Sequence, residues 1–197
     1  MTEKQKERML LHVCCAPCSP HVVAKLCEEY DVTLYFYNPN IHPLAEYKTR
    51  ADELRSWCRA AGLDLIVDEY DVKRWFAATH EYADEPEKGA RCEICFDLRL
   101  GRTAYVAGRN GYDLFGTVLT VSPRKESIVI NRVGRRHEEL SGVPFLEADW
   151  KKKEGTKLTN LLARDLGFYR QDYCGCVYSH RDRKRQQEEK AARESVG

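Results

Sequence analysis

Nine cysteines occur in the chain, and seven of them fall into three short groups: Cys14, Cys15 and Cys18; Cys92 and Cys95; Cys174 and Cys176. A thiolate is both a soft ligand and a nucleophile, so such groups point to metal binding or redox chemistry. No group completes a metal site alone. Brought together, they exceed the four ligands of one tetrahedral zinc; four thiolates suffice for an iron–sulfur cubane, and three remain for a second ion.

Three readings stay open on the thiols by themselves. A redox cluster beside a further metal uses all seven. A dithiol oxidoreductase needs only Cys15 and Cys18, spaced as in C-x-x-C after a strand, and leaves the other two pairs without a task. Structural zinc in a nucleic-acid-binding module is the third, but such pairs belong to small loop-rich units, whereas these lie in a regular α/β pattern.

Positioning the thiols requires that pattern. Met9 to Val13 is an apolar run that ends at Cys14, and Val22, Val23, Leu26, Cys27 and Tyr30 then repeat on one helical face. The first group therefore sits where a strand hands over to a helix, with Cys27 expected in the core. Asp31 to Tyr37 is a β-branched and aromatic strand running into the turn-rich loop Asn38-Pro39-Asn40-Ile41-His42-Pro43. Tyr47, Ala51, Leu54, Cys58 and Ala61 mark a second helix stopped by Gly62, with Cys58 also in the core, and Leu65 to Val67 a third strand. A helical stretch around Val72, Trp75 and Phe76 follows, and residues 81–91, broken by Pro86 and Gly89, read as a loop able to cover a site.

Cys92 and Cys95, at i and i+3, open a helix that runs to about Gly108, on one face of its positive end. The stretch from Asp113 to Leu119 is a strand, and Ser122-Pro123 reads as an N-cap with proline at the first helical position. Thr117, Thr120, Ser122 and Lys125 then form either a cradle for a phosphate or polar base, or ordinary capping beside an exposed lysine. Pro144 to Leu146 reads as a last short strand, and Leu158, Leu161, Leu162 and Leu166 as the stripe of an amphipathic helix ending at Gly167. The alternation specifies an α/β fold with a parallel sheet, in one domain spanning 1–197 with a charged helical tail from about residue 180.

Lys and Arg total 32 against 31 Asp and Glu, so overall charge neither favours nor excludes nucleic acid. Met9 to Val13 is too short for a signal h-region and no stretch approaches a membrane span; the expectation is a cytoplasmic protein with no membrane partner.

The motifs HVCCAPCS (12–19), YNPNIHP (37–43), RCEICFDLRL (91–100), TVLTVSPRK (117–125) and GFYRQDYCGCVYS (167–179) together resemble the cobalamin-independent epoxyqueuosine reductases, from about Met9 to Ser179. The resemblance implies a Rossmann-like parallel sheet of the nucleotide α-hydrolase (PP-loop) type. It also implies an oxidoreductase that removes the epoxide oxygen of epoxyqueuosine at the wobble position of tRNA, leaving a cyclopentene. The cofactors implied are a [4Fe-4S] cluster and one additional iron ion; the partners are the anticodon loop and an unidentified electron donor. Carried over by position, Cys92, Cys95, Cys174 and one of the pair Cys14 and Cys15, here Cys15, ligate the cluster, and Cys14, Cys18 and Cys176 hold the lone iron. Asn38, Asn40, His42, Ser122 and Lys125 are candidate base contacts whose alternative roles are turn formation and capping. Lys151 to Lys153 and Arg181 to Arg185 are weaker candidates for the tRNA backbone. His12, Tyr37, Asp97 and Tyr178 are proton-donor candidates by proximity to the motifs, with plain hydrogen-bonding roles as the alternative. Thiolation of tRNA on a similar fold would call for an S-G-G-x-D-S loop at the first strand end, where this chain has CCAPCS.

Overall fold

The computed structural model describes residues 5–194. Four parallel strands, β1 (Arg8–His12), β2 (Asp31–Phe36), β3 (Asp64–Val67) and β4 (Leu114–Thr117), form a sheet in the order β3-β2-β1-β4. Helix α1 (Pro20–Glu29) joins β1 to β2 and α2 (Leu44–Ala61) joins β2 to β3. Two helices, α3 (Val72–Thr79) and α4 (Ala90–Arg109), lie between β3 and β4; α5 (Ser127–Ser141), α6 (Gly155–Asp165) and α7 (Val177–Glu194) follow.

Strand β1 is central and covered on both faces, which explains its consecutive apolar residues Met9, Leu10 and Leu11. Met9, Leu11 and Val13 join Leu34, Phe36, Leu26 and Leu54 in one core layer, while Leu10 joins Tyr35, Phe115 and Ala104 in the other. The sequence order moves outward from β1 through β2 to β3, then returns to add β4 on the other side of β1. The switch point of this open sheet therefore lies at the carboxyl ends of β1 and β4, where such sheets have their crevice.

Four expectations are corrected. Helix α5 begins at Ser127, behind Glu126, and not at Ser122-Pro123. Pro123 instead takes the second position of a turn closed by Lys125 N–H on Ser122 O (3.1 Å), a position its fixed φ suits. The strand at Pro144–Leu146 contracts to a single parallel bridge between Phe145 and Phe115, because Pro144 has no N–H to extend the ladder. Helix α6 forms and stops just before Gly167, whose positive φ turns the chain away, but its buried face is Gly155, Thr159 and Ala163, and its leucines face outward, Leu166 being 49% exposed. Close approach decides this: a Cβ at Gly155 would lie 1.8 Å from Trp150 O. Cys58 is buried, whereas Cys27 is only partly so.

The loop before α4 is fixed in place. The Arg91 guanidinium donates to the carbonyls of Tyr82 (3.0 Å), Ala83 (3.1 Å) and Glu85 (2.5 Å), so Glu87, Lys88 and Gly89 stand as a wall of the cavity beside α4.

Candidate metal centre

The first thiol group occupies the switch point. Past the end of β1, Val13 N–H still donates to Tyr35 O (2.9 Å), and the chain then tightens into a 3-10 turn over Ala16–Cys18. Ser19 Oγ–H donates back to Cys15 O (2.9 Å) and locks that turn before α1 begins. The sulfurs of Cys14, Cys15 and Cys18 consequently lie within 4.8 Å of one another, those of Cys14 and Cys15 at 3.7 Å. Gln171 reaches in from the segment after α6, its Nε2–H donating to Cys15 Sγ at 3.1 Å.

Thiols this close ionise as a unit. Hydrogen bonds from Cys15 and Cys18, with Lys125 and Arg99 nearby, hold Cys14 well below the usual thiol range. Donation to Cys14 pushes Cys15 up to about 12 and Cys18 well above its ordinary value. Cys14 is thus the most readily ionised of the three, and three sulfurs this close make a donor set of the kind that takes a cation.

The other four thiols meet across a cavity of about 320 Å³ whose lining includes Cys92, Cys95, Cys174 and Cys176. Cys92 and Cys95 occupy the first two turns of α4; Cys174 and Cys176 come from the segment leading into α7. That segment is anchored by the 38–43 loop and by α2: His42 N–H donates to Gly175 O (2.7 Å), Tyr173 O–H to His42 O (2.5 Å), and Arg50 to Cys174 O (3.2 Å). Gly175 has φ +120, and a Cβ there would meet Ile41 at 3.1 Å and Arg50 at 3.2 Å, so glycine is required for the chain to pass between the two cysteines. Backbone N–H groups of Lys88 and Ser179 donate to Cys92 and Cys176, each at 3.3 Å. Burial raises the pKa of Cys95, that of Cys92 to about 12 and that of Cys176 to about 11, with neighbouring thiols adding to it. Burial of this kind costs free energy unless a cation takes the place of the protons.

Cys174 faces both groups, since it also lines an adjoining cavity of about 310 Å³ with Cys14 and Cys18. Arg99, Arg124 and Lys125 border both spaces. Burial disfavours the Lys125 ammonium, but Cys174, Cys14 and Cys18 outweigh it and hold its pKa above the usual lysine range. Arg50 and Arg99 are fully buried and lie against the thiols, Arg99 at 4.0 Å from Cys95 Sγ. Among the described residues, most of the buried side-chain atoms without a hydrogen-bond partner cluster around these cavities: Asn40 Oδ1, Trp75 Nε1, Arg91 Nε, Arg99 Nε, Arg50 NH2 and Gln171 Oε1. Such atoms are rare in a finished interior, and their concentration marks space that a ligand completes.

The residues singled out from sequence divide by what they touch. All seven grouped cysteines line the two cavities or belong to the Cys14–Cys15–Cys18 group, and Lys125 stands between them. Ser122 lines the second cavity and Asn40 the first, but Asn38 is fully buried, donating to Val13 O (2.9 Å) and accepting from Arg99 (2.7 Å). His42 packs on Trp75 and Phe76. Both ring nitrogens of His12 are engaged, by Thr117 Oγ1 (3.0 Å) and Tyr37 O (3.3 Å), and burial with Arg99 lowers its pKa to about 3, so it is neutral. Asp97 pairs with Arg136 and His137 on the far side of α4, away from the thiols. Tyr37 packs in the second core layer and Tyr178 on Trp75. Thr117 and Thr120 serve the fold, accepting from Leu119 N–H (3.1 Å) and Trp150 N–H (3.4 Å). Lys151 turns inward onto Thr120 O (3.3 Å) and Lys125 O (3.1 Å), and Arg181, Arg183 and Arg185 are paired with acids. Sequence reasoning missed Arg50, Arg99, Gln171 and Trp75; only Arg99 had a local signal, at i+4 from Cys95 in a helix.

Known structures and relatives place this architecture. Solved structures that share the fold include the U34-tRNA thiolase NcsA from Methanococcus maripaludis with its [4Fe-4S] cluster (TM-score 0.56, 12% identity, 89% of this chain and 62% of that one) and a predicted subunit of tRNA methyltransferase from Methanocaldococcus jannaschii (TM-score 0.53, 13% identity, 83% and 93%). At such identities the likeness speaks for the fold alone, an α/β sheet of the nucleotide α-hydrolase type. Curated relatives named epoxyqueuosine reductase QueH are 41% identical in Histophilus somni (89% of this chain, 73% of that one), 40% in Haemophilus influenzae (92% and 75%) and 36% in Thermotoga maritima (89% and 92%). With the family profile for epoxyqueuosine reductase QueH matching residues 9–182, the chain belongs to that family.

Proposed function

We propose that this chain reduces epoxyqueuosine in tRNA, removing the epoxide oxygen with two electrons and two protons to leave an alkene and water. The observation that carries the reading is the convergence of seven free thiols at the switch point, in two groups that share Cys174 at their boundary.

The donor set fits soft metal. All nine cysteines are unpaired, the grouped sulfurs are mostly buried, and cationic and N–H donors surround them, so deprotonated sulfur is compensated once a metal displaces the protons. Proximity supports Cys92, Cys95, Cys174 and Cys176 as the holders of a [4Fe-4S] cluster and Cys14, Cys15 and Cys18 as the holders of an additional iron. The division implied by the motifs, with Cys15 on the cluster and Cys176 on the iron, is the second reading, supported by the adjacency of Cys14 and Cys15. When bound, these groups supply electrons and a Lewis acid for the epoxide oxygen.

The chain's own residues receive the substrate. The cavity with Cys14 and Cys18 in its wall also carries Arg50, Arg99, Arg124, Lys125 and Arg170 against the single carboxylate of Glu87. Such a basic recess suits one nucleoside and its flanking phosphates, and a single-stranded anticodon loop is the form of RNA that can splay a base into it. Ser122 and Lys125 border that recess, so they are the base or sugar contacts retained from the motifs, together with Asn40, whose Oδ1 is buried without a partner. Lys125 and Arg99 keep negative charge favourable between the two thiol groups as oxygen leaves. The reading includes a cytoplasmic enzyme served by an electron donor of unidentified nature.

The test is anaerobic incubation of the iron-reconstituted protein with a strong reductant and epoxyqueuosine-containing tRNA, followed by nucleoside mass spectrometry. Loss of one oxygen from the modified nucleoside is expected. Unchanged epoxyqueuosine in the presence of an intact cluster overturns the assignment.

A further inference from the structure

Taking the epoxide oxygen off as water needs a proton delivered at that oxygen, and its source is unassigned in the reading above. The side chains that the sequence put forward do not supply it. His12, Tyr37, Asp97 and Tyr178 line neither of the two thiol cavities. His12 has both ring nitrogens engaged, Asp97 pairs with Arg136 and His137, Tyr37 packs in the core, and Tyr178 packs on Trp75 and under the Arg91 guanidinium.

Five described residues border both cavities: Glu87, Arg99, Arg124, Lys125 and Cys174. Cys174 is a metal ligand in that same reading. Arg99 is tied to Asn38 Oδ1 (2.7 Å) and Arg124 to Asp172 O (3.1 Å), and a guanidinium does not release its proton. Glu87 is an exposed carboxylate, which accepts hydrogen bonds and donates none. Lys125 remains. A lysine ammonium is charged at neutral pH, carries three N–H donors and is far more acidic than the alcohol an opened epoxide would form.

The backbone of Lys125 is fixed while its side chain is free. Lys125 N–H closes the turn on Ser122 O (3.1 Å), and Lys125 O accepts from the Lys151 ammonium (3.1 Å), which is itself held by Thr120 O (3.3 Å) and Asp149 (3.3 Å). The Lys125 ammonium has no hydrogen bond and no carboxylate partner among the described residues, although the side chain is partly buried. A partly buried cation without such a partner, in a wall shared by two cavities, is placed for a ligand that enters them.

We propose that the Lys125 ammonium is the general acid that protonates the epoxide oxygen as it leaves. The inference rests on the proposed function and gives a chemical task to a residue carried there as a base or sugar contact. Both C–O bonds of the epoxide break and a C=C bond forms, with two electrons supplied by the reductant. The oxygen takes one proton from Lys125 and one from solvent and departs as water; the neutral amine regains its proton from solvent through the recess.

The experiment is anaerobic single-turnover reduction of epoxyqueuosine-containing tRNA by dithionite, read by nucleoside mass spectrometry, with the reconstituted parent, Lys125→Ala and Lys125→Arg. Iron, acid-labile sulfide and the electron paramagnetic resonance signal are measured on each protein, and tRNA affinity on the metal-free forms. Both variants are expected to match the parent in metal content and to lose rate by about 100- to 10,000-fold, the range of a general acid. Primary alkylamines added to Lys125→Ala should restore rate, more strongly for the more acidic ammonium, and leave the parent unchanged. The arginine variant keeps the test informative if alanine disturbs the turn. Arginine retains the charge and withholds the proton, so an arginine variant as fast as the parent overturns the inference, as does an iron-loaded alanine variant at the parent's rate. A rate loss that disappears at saturating tRNA, or one that no amine relieves, also overturns it and makes Lys125 a binding contact alone. A parent that holds its iron and leaves epoxyqueuosine unchanged overturns the proposed function itself.

Discussion

Asn38 and Arg99 offer the sharpest test of how the site is held. Asn38 looks from sequence like a base contact, but its amide ties the end of β1 to α4: Nδ2 donates to Val13 O and Oδ1 accepts from Arg99 at 2.7 Å. Both side chains are essentially inaccessible. A hydrogen bond to a charged donor contributes about 1.5–3 kcal/mol, and an abandoned buried acceptor costs about 1–3 kcal/mol. Arg99→Met removes the donor, strands Asn38 Oδ1 and relieves only the unpartnered Arg99 Nε. The expected net loss for the metal-free protein is about 2–3 kcal/mol, read as a lower midpoint in anaerobic urea denaturation followed by circular dichroism. Asn38→Ala should cost a similar amount, and the double variant should cost less than the two together, with a coupling of about 1.5–3 kcal/mol. Additive losses, or a coupling below about 0.5 kcal/mol, would refute the strut and return Asn38 to the list of substrate contacts.

Cys92→Ala, Cys95→Ala and Cys174→Ala should each abolish the iron–sulfur absorbance after reconstitution, while Cys27→Ser and Cys58→Ala retain it; loss in the latter pair would show a centre elsewhere. Cys176→Ala and Cys15→Ala separate the two ligand divisions: grouping by proximity predicts loss of the cluster only with Cys176, the motif-based division only with Cys15, as counted by iron and acid-labile sulfide. Asp68 accepts from Arg102 (2.8 and 3.2 Å) and from Tyr35, which outweighs the upward push of its partial burial and lowers its pKa. Because the folded value lies below the unfolded one, the unfolded chain binds more protons near pH 4; the stabilisation is complete above that and is lost as pH falls through the folded value. Asp68→Asn should flatten the acid limb of stability against pH, and an unchanged limb would contradict the pairing. Gly134→Ala places a Cβ 2.3 Å from the Phe145 ring, and overpacking of this kind costs about 1–3 kcal/mol; Gly116→Ala meets only the flexible end of Met9 at 2.6 Å, so it should cost less, and the reverse ranking in thermal melts would count against the packing described.

The strands and most helices were legible because their signals are local. An apolar run at 9–13, helical spacing through Leu54 and Cys58, and glycines at 62 and 167 depend on burial and backbone freedom within a few residues. Ser122-Pro123 misled because serine before proline starts turns and helices alike, and the choice was made by the 3-10 turn at Leu119–Val121 just before it. The outward leucines of α6 misled for a different reason: the face that packs is chosen by how closely a backbone can approach, and Gly155, Thr159 and Ala163 permit an approach that leucine does not. The cysteines announced themselves by type. Their neighbours did not, since Arg50, Trp75 and Gln171 are brought to the thiols from α2, α3 and the segment before α7, and nothing in a linear spacing encodes that convergence.

Topology explains why the thiols gather at this particular edge. With the strand order β3-β2-β1-β4, the connection from β1 leads toward β2 and that from β4 leads to α5 beyond, so the chain parts on either side of the carboxyl end of β1. The crevice left there exists before any side chain is chosen. A ligand in it is met by the turn after β1, the turn after β4 and the start of a helix crossing behind them, and here those are Cys14 to Cys18, Ser122 to Lys125 and Cys92 to Cys95. Only Cys174 and Cys176 come from outside that frame, and they require the most special backbone, Gly175 at φ +120 held between Ile41 and Arg50. The late segment closes a site whose other walls are already fixed by the sheet. Side-chain choice then decides the chemistry: the inward-facing Arg50, Arg99 and Lys125 place positive charge around the thiols at the end of an apolar strand, where a sulfur that gives up its proton finds compensation.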